Sequence, residues 1–246
     1  MRITEATVPD TTTTAGAEAV LSDLAAHIDI SCVQAQHARA DIEELARRAV
    51  AGSFVSAHVL PGWLPVIREV LTGTTVLAGS PVGFPSGGAT TATKVAEARE
   101  LLDLGAQELD VVVAIGRLRS GETGYVTDEL AAVADIVGGR VPLRAILEVG
   151  HLDEAAIRLG VDAAVAAGIP WIKTGTGWSG RPTTIDHIRI IADQVDGRAA
   201  IKAAGGIRDI ETVRAMAALG VTRFGMNADS AVAAVAAATG ARGDDA

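Results

Sequence analysis

The sequence predicts an α/β protein of a single fold, a (β/α)8 TIM barrel, on three observations. Short apolar, β-branched runs alternate with amphipathic helical stretches, the pattern of βαβ units on a parallel sheet. The runs number eight, near residues 26–31, 54–59, 74–80, 107–113, 143–149, 170–174, 199–203 and 221–225. The chain of 246 residues is close to the usual size of one such barrel. A doubly wound open sheet is the competing architecture, but no G-x-G-x-x-G turn follows the first run to favour it.

Taken in order, residues 1–14 read as a flexible leader, 15–240 as one barrel domain and 241–246 as a tail. The third run leads into GFPSGGATT, residues 83–91, a glycine-rich lid or wall shaped by Pro85. The fourth, QELDVVV, turns from polar to apolar where a strand enters the core and carries Asp110. The fifth, RAILEVG, offers Glu148 either as an inward-pointing site carboxylate or, equally, as a structural partner of Arg144 or a lysine. Register in the later runs comes from a weak repeat, in which a helix-ending glycine precedes a distinctive residue by five positions. Gly105 leads to Asp110, Gly168 to Lys173, Gly197 to Lys202 and Gly220 to Gly225. Equivalent places in four βα units lie toward the C-terminal strand ends, where barrels build their sites. A carboxylate and two lysines are therefore expected at one mouth.

Composition narrows the partners. A net charge of −9 argues against nucleic acid, which needs a basic face. It leaves room for a small anion held by local N–H groups. No apolar run reaches the roughly 18 residues of a membrane span, and the N-terminus carries no apolar signal segment. Cys32, the one cysteine, has no internal disulfide partner. The expected setting is cytoplasmic.

Of the 21 basic residues only Lys94, Lys173 and Lys202 are lysines. Where any cation serves, this chain uses arginine. A lysine kept against that bias points to chemistry closed to a guanidinium, which does not act as an amine nucleophile. For Lys94, on a helical stretch, chance is an equal explanation. Lys173 follows GIPWI and precedes TGTG. An ammonium at a buried strand end is costly to desolvate, and a second cation such as Lys202 adds to the cost, the setting that activates an imine-forming lysine. The alternative is an ion pair, with Asp110 as the partner. Asp110 itself is placed either to move a proton at a substrate hydroxyl or to form a buried structural pair.

The paired glycines of AAGGIRDIETV open the way for an anion, and the helix that follows offers free N–H groups. GMNADS after the eighth run is the matching element, with Asn227 able to donate or to cap. Gly177, Gly205, Gly206, Gly225 and Asn227 are the expected substrate- and phosphate-binding positions. The five histidines are dispersed, with no pair at metal-ligand spacing. Neither a metal nor an organic cofactor is expected.

The segments VGFPSG, GAQELDVVVAIGRLRSG, RAILEVGHL, WIKTGTG, IKAAGGIR and TRFGMN together resemble the deoxyribose-phosphate aldolase family, over about residues 26–235. The resemblance implies a barrel and reversible cleavage of 2-deoxyribose 5-phosphate to glyceraldehyde 3-phosphate and acetaldehyde. It makes Lys173 the match of the family's Schiff-base lysine, Lys202 of its second lysine and Asp110 of its proton-relay aspartate. Several positions depart from the family pattern. Gly175 stands for a serine, Trp178 for a common lysine, and Asn227 and Ala228 for small or hydroxyl residues. His58 stands where a cysteine is expected, Asp29 and Ser31 fill an Asp-x-Thr, and a C-terminal tyrosine of some members is replaced by an end at Ala246.

The expected protein is thus a lysine-dependent aldolase, Lys173 forming the imine while Asp110, with Lys202 and water, handles the proton. Its partner is a small sugar phosphate or aldehyde, and a homodimer is the expected assembly. Trp178 and Asn227 favour, as an alternative, the same chemistry on an unphosphorylated aldehyde, the indole serving as an apolar wall. Further alternatives are a phosphate-binding barrel isomerase without an imine and a non-catalytic sugar-phosphate sensor.

Overall fold

The computed structural model describes residues 14–240. The leader, apart from Thr14, and the tail lie outside the described residues. Thr14 opens α1 (Thr14–Ser22), a helix that precedes the first strand. Eight strands follow: β1 (Ile28–Cys32), β2 (Ser56–Val59), β3 (Leu77–Val82), β4 (Glu108–Val112), β5 (Leu143–Ile146), β6 (Trp171–Lys173), β7 (Ala200–Ala204) and β8 (Val221–Met226). Every predicted run overlaps one of them, with ends differing by a few residues. Neighbours pair in parallel in chain order, and β8 pairs with β1 to close the barrel.

Helices fill the crossovers: α2 (Arg39–Ala51), α3 (Leu64–Val70), α4 (Thr91–Asp103), α5 (Ile115–Arg119), α6 (Thr123–Val137), α7 (Glu154–Ala166), α8 (Ile185–Val195), α9 (Ile210–Ala217) and α10 (Ala228–Ala238). Their starts are written locally. Thr90, Asp153, Thr184, Asp209 and Asn227 each accept a hydrogen bond from a backbone N–H of the first turn of the helix they precede. Such caps satisfy donors that the helix itself leaves free. No helix among the described residues is long and apolar enough to cross a membrane.

Strand alternation divides the protein into two interiors. Outward residues such as Ile28, Ile30, Leu109, Val111, Ile172 and Phe224 are buried with the apolar faces of the helices. Each such aliphatic side chain contributes roughly 1.5–3 kcal/mol by leaving water. The inward set is polar instead. Asp29, Glu108, Asp110, Arg144 and Lys202 are all buried, where barrels usually carry branched apolar residues. Buried charges persist only when paired, and these are. Arg144 donates to Glu108 (2.7 Å) and Asp110 (3.1 Å), and Arg223 reaches Asp29 and Glu108. The stability of the barrel and the electrostatics of its mouth are therefore one network.

Candidate active site

Lys173 ends β6 and is the Cα partner of Lys202 on β7. Side chains of adjacent strands at one register project the same way, so the two ammonium groups meet over the same space. They meet at Asp110, whose Oδ2 accepts from Lys173 Nζ at 2.7 Å and from Lys202 Nζ at 3.1 Å. Lys202 also pairs with Asp29. The three predicted residues are thus brought together, and Lys173 is the most solvent-accessible of them, 13% exposed at its side chain. Both readings of Lys173 are visible here, since it reaches open space while paired to Asp110.

The electrostatics separate the roles. Burial pushes Lys202 down to about 8, overriding Asp110 and Asp29, with Lys173 adding a like charge. Burial opposes ionisation of Asp110, yet Lys173 and Lys202 hold its carboxyl well below the usual range. Asp110 stays an anion and a hydrogen-bond acceptor.

A cavity of about 330 Å³ opens above these groups. Gly177, Gly205, Gly206, Gly225 and Asn227 all contribute to its wall. Gly205 and Gly206 have φ of +94° and +86°, a conformation that side chains strain, and a Cβ on Gly206 would lie 2.8 Å from Pro182. The turn is therefore built for glycine. The sequence predicts free N–H groups at the start of the helix after it, but that start is capped by the chain itself. Asp209 occupies the start of α9, accepting from the Thr212 N–H at 2.7 Å, three residues past the paired glycines. Asn227 caps α10 with Oδ1, accepting from the Ser230 N–H at 2.9 Å. Arg208, which sequence reasoning passed over, lines the cavity as well.

Local hydrogen bonds fix the loop that carries Lys173 onward. Thr174 Oγ1 donates to the Ala204 carbonyl and accepts from the Ala204 N–H, both at 2.8 Å, tying the ends of β6 and β7. Glu148, in the left-handed region at φ +58°, accepts from the N–H and hydroxyl of Thr176. It pairs with neither Arg144 nor a lysine. The expected pairing fails because Arg144 faces Glu108 and Asp110 from inside the barrel, whereas Glu148 lies beyond β5 behind the loop.

Trp178 is also corrected. Its indole N–H donates to the Val33 carbonyl at 3.0 Å and its ring meets Phe84 edge-on, centroids 5.9 Å apart. It borders a second cavity of about 390 Å³ rather than the one above Lys173. The indole ties three loops together, so it is not the wall on which an apolar acceptor was expected to rest.

His58 on β2 is buried on the cavity wall, Nε2 3.1 Å from Glu108 Oε2. Asp29, His58 and Glu108 each bring one donor atom within 4.8 Å of the others, a grouping the dispersed histidines did not suggest. Both carboxylates already face cations, Arg223 and Lys202 at Asp29 and Arg144 and Arg223 at Glu108. Those charges repel a dication from the site. Glu108 was legible in principle, since it lies two residues before Asp110 on one strand face.

Comparison with known proteins bears on what such a site belongs to. No protein-family model matches the chain. A deoxyribose-phosphate aldolase of Sinorhizobium medicae (strain WSM419) is 50% identical over 211 residues, 85% of each chain. The chain belongs to the deoxyribose-phosphate aldolase family. The aldolase of Klebsiella pneumoniae (strain ATCC 700721 / MGH 78578) is 47% identical over 204 residues, 81% of both chains. Among solved structures, deoxyribose phosphate aldolase from Aeropyrum pernix, described as tetrameric, superposes with a TM-score of 0.82 at 25% identity, covering 94% of this chain and 100% of its own. A putative family member from Coccidioides immitis gives 0.81 at 29% identity, covering 85% and 83%. Family membership joins the polar barrel to aldol chemistry.

Proposed function

We propose that this protein is a lysine-dependent aldolase that cleaves 2-deoxy-D-ribose 5-phosphate to D-glyceraldehyde 3-phosphate and acetaldehyde, reversibly. The observation that carries the reading is the convergence of Lys173 and Lys202 on one oxygen of Asp110 beneath an open cavity. Lys202 sets a second lysine beside Lys173 at one register, a pairing that suits an imine-forming lysine. The Lys173 amine adds to the substrate aldehyde and, with loss of water, gives a protonated imine. As the C3 hydroxyl loses its proton, the C2–C3 electron pair moves into the iminium, leaving an enamine and releasing the phosphorylated aldehyde. Protonation at C2 and hydrolysis return acetaldehyde and the amine. Asp110, held as an anion by both ammonium groups, orients them and, with Lys202, the water through which the C3 hydroxyl proton leaves.

The turn at Gly205 and Gly206, with Gly177, Gly225, Asn227 and Arg208 on the same wall, supports phosphate as the far end of the substrate. Backbone N–H groups in such turns bind phosphate without a dedicated lysine. A homodimer belongs to this reading, and sedimentation separates it from the tetramer described for the Aeropyrum relative. The reading is tested by assaying cleavage of deoxyribose 5-phosphate beside free deoxyribose, and by borohydride reduction with acetaldehyde. A two-carbon adduct on Lys173 is expected. Turnover without any adduct would point to a mechanism with no imine.

A further inference from the structure

We propose that His58 is a catalytic proton carrier in this site, its Nδ1 taking the proton that leaves the substrate hydroxyl and returning it to carbon. The inference rests on the imine reading above and extends it to a residue that reading does not use.

The ring's orientation follows from its neighbours. Burial would push Glu108 up, but Arg144 and Arg223 hold it well below the usual carboxylate range. An ionised carboxylate only accepts, so the 3.1 Å contact is donated by His58 Nε2–H. In the neutral ring the lone pair then sits on Nδ1. Nδ1 lies 3.7 Å from Asp110 Oδ2, too far for a hydrogen bond, and a substrate hydroxyl docking beside the pair from the cavity comes within reach of Nδ1. That same oxygen receives Lys173 and Lys202. A merely structural imidazole accounts for Nε2 on Glu108 and leaves Nδ1, at the reacting centre, without a purpose.

Room for the ring is made deliberately in the adjacent strand. Gly79 on β3 is the register partner of His58, and a Cβ there would lie 2.3 Å from the imidazole Cε1. The charged groups facing the ring are Asp29 from β1, Glu108 and Asp110 from β4 and Lys202 from β7, with Arg144 and Arg223 behind Glu108. Burial and Lys202 push the imidazolium down, against the three carboxylates, which leaves a free base at neutral pH. Asp110, clamped by two ammonium groups, is a far weaker base, and proton transfer works best when acceptor and working pH match.

The step balances without a further reactant. The C3 hydroxyl proton moves to Nδ1, C3=O forms, and the C2–C3 electron pair passes into the iminium. The imidazolium, held by Glu108 at Nε2–H, then gives that proton to C2 of the enamine, restoring the iminium for hydrolysis and the ring for another turnover.

The test is His58→Gln, which keeps an amide donor for Glu108 and removes the titrating nitrogen. Cleavage is expected to fall by about 10²-fold or more, and exchange of acetaldehyde methyl protons in heavy water to fall with it. The unmodified enzyme is expected to lose rate toward acid pH as His58 is protonated, and in His58→Gln that fall should disappear while borohydride still traps acetaldehyde on Lys173. Turnover within about threefold of the unmodified enzyme, with its acid limb intact, would overturn the proposal. Loss of trapping together with turnover would overturn it too, because His58 would then be holding Lys173 in place. If His58→Gln does not fold, His58→Ala is measured with and without added imidazole. Recovery of cleavage supports the proposal and no recovery overturns it. Failure of the imine reading is seen separately, as no Lys173 adduct in the unmodified enzyme.

Discussion

Lys173 and Lys202 stand at one register on adjacent strands and direct both ammonium groups at the same oxygen of Asp110. Two like charges are kept together because one carboxylate compensates both, and burial then pushes Lys202 down to about 8. The charged form of Lys202 is dominant below that pH and is depleted as pH rises through it. If the reaction needs that charge, activity falls above about pH 8 in the unmodified protein. Lys202→Met should lower the plateau by about 10²-fold and abolish the fall. A descending limb near pH 8 that survives the substitution would assign it to another group.

Lys173→Arg separates charge from nucleophilicity. The guanidinium still reaches Asp110, so folding is expected to be kept, while imine formation is lost because arginine does not act as an amine. Activity below detection with a cooperative melt is the expected outcome. Residual borohydride labelling at Lys202 would move the nucleophile there.

Lys94 has a different fate from the other two lysines. It is buried between α4 and α6, its Nζ 2.8 Å from Glu129 and 2.7 Å from the Val112 carbonyl. Burial works against both charges, lowering Lys94 and raising Glu129. Lys94→Met leaves the carboxylate without its partner and should cost about 3–5 kcal/mol in urea unfolding. The double change Lys94→Met, Glu129→Gln should recover more than about 1 kcal/mol, because the amide still accepts from the Ala114 N–H and carries no charge. Equal stabilities for single and double variants would mean that the pair is not coupled.

The barrel was legible because strand and helix periods are local properties, and glycine caps mark where one becomes the other. The meeting of Lys173, Lys202 and Asp110 was legible for the same reason, each lying a fixed distance past its glycine. What surrounds them was not. Arg223 reaches Asp29 only because β8 closes on β1, a contact across nearly the whole chain that no local pattern announces. Glu148 and Trp178 show the limit in loops, where direction depends on backbone conformation rather than on period. His58 was visible as a departure from family pattern, but its placement between Glu108 and Asp110 depends on strand register.

Trp178 serves as a strut between loops, so its removal should loosen the mouth without favouring either sugar. Trp178→Phe loses the indole N–H donated to Val33 while keeping an aromatic ring against Phe84. Both deoxyribose 5-phosphate and free deoxyribose should show KM raised by the same factor, of about 3–10, for one lost hydrogen bond. A change confined to the phosphorylated sugar would bring the indole back to the substrate.

Arg208 is the group expected to distinguish the two sugars. With Trp178 turned away from the cavity and Asn227 engaged in capping α10, Arg208 is the guanidinium on the wall near Gly205 and Gly206. A guanidinium matches phosphate with paired N–H donors, but this one is solvent-exposed, and solvent screens its charge. A gain of about 1.4 kcal/mol, or tenfold in KM, is the scale that follows. Arg208→Met should raise KM for deoxyribose 5-phosphate by about that factor, leave kcat within about twofold and leave free deoxyribose unaffected. The difference should shrink as salt rises from about 0.01 M to 1 M, because the screening length falls from about 30 Å to 3 Å. Steady-state kinetics on both sugars at the two ionic strengths carry the decision. Equal changes for the two sugars, insensitive to salt, would make Arg208 a support of the β7–α9 loop and leave phosphate to the backbone turn alone.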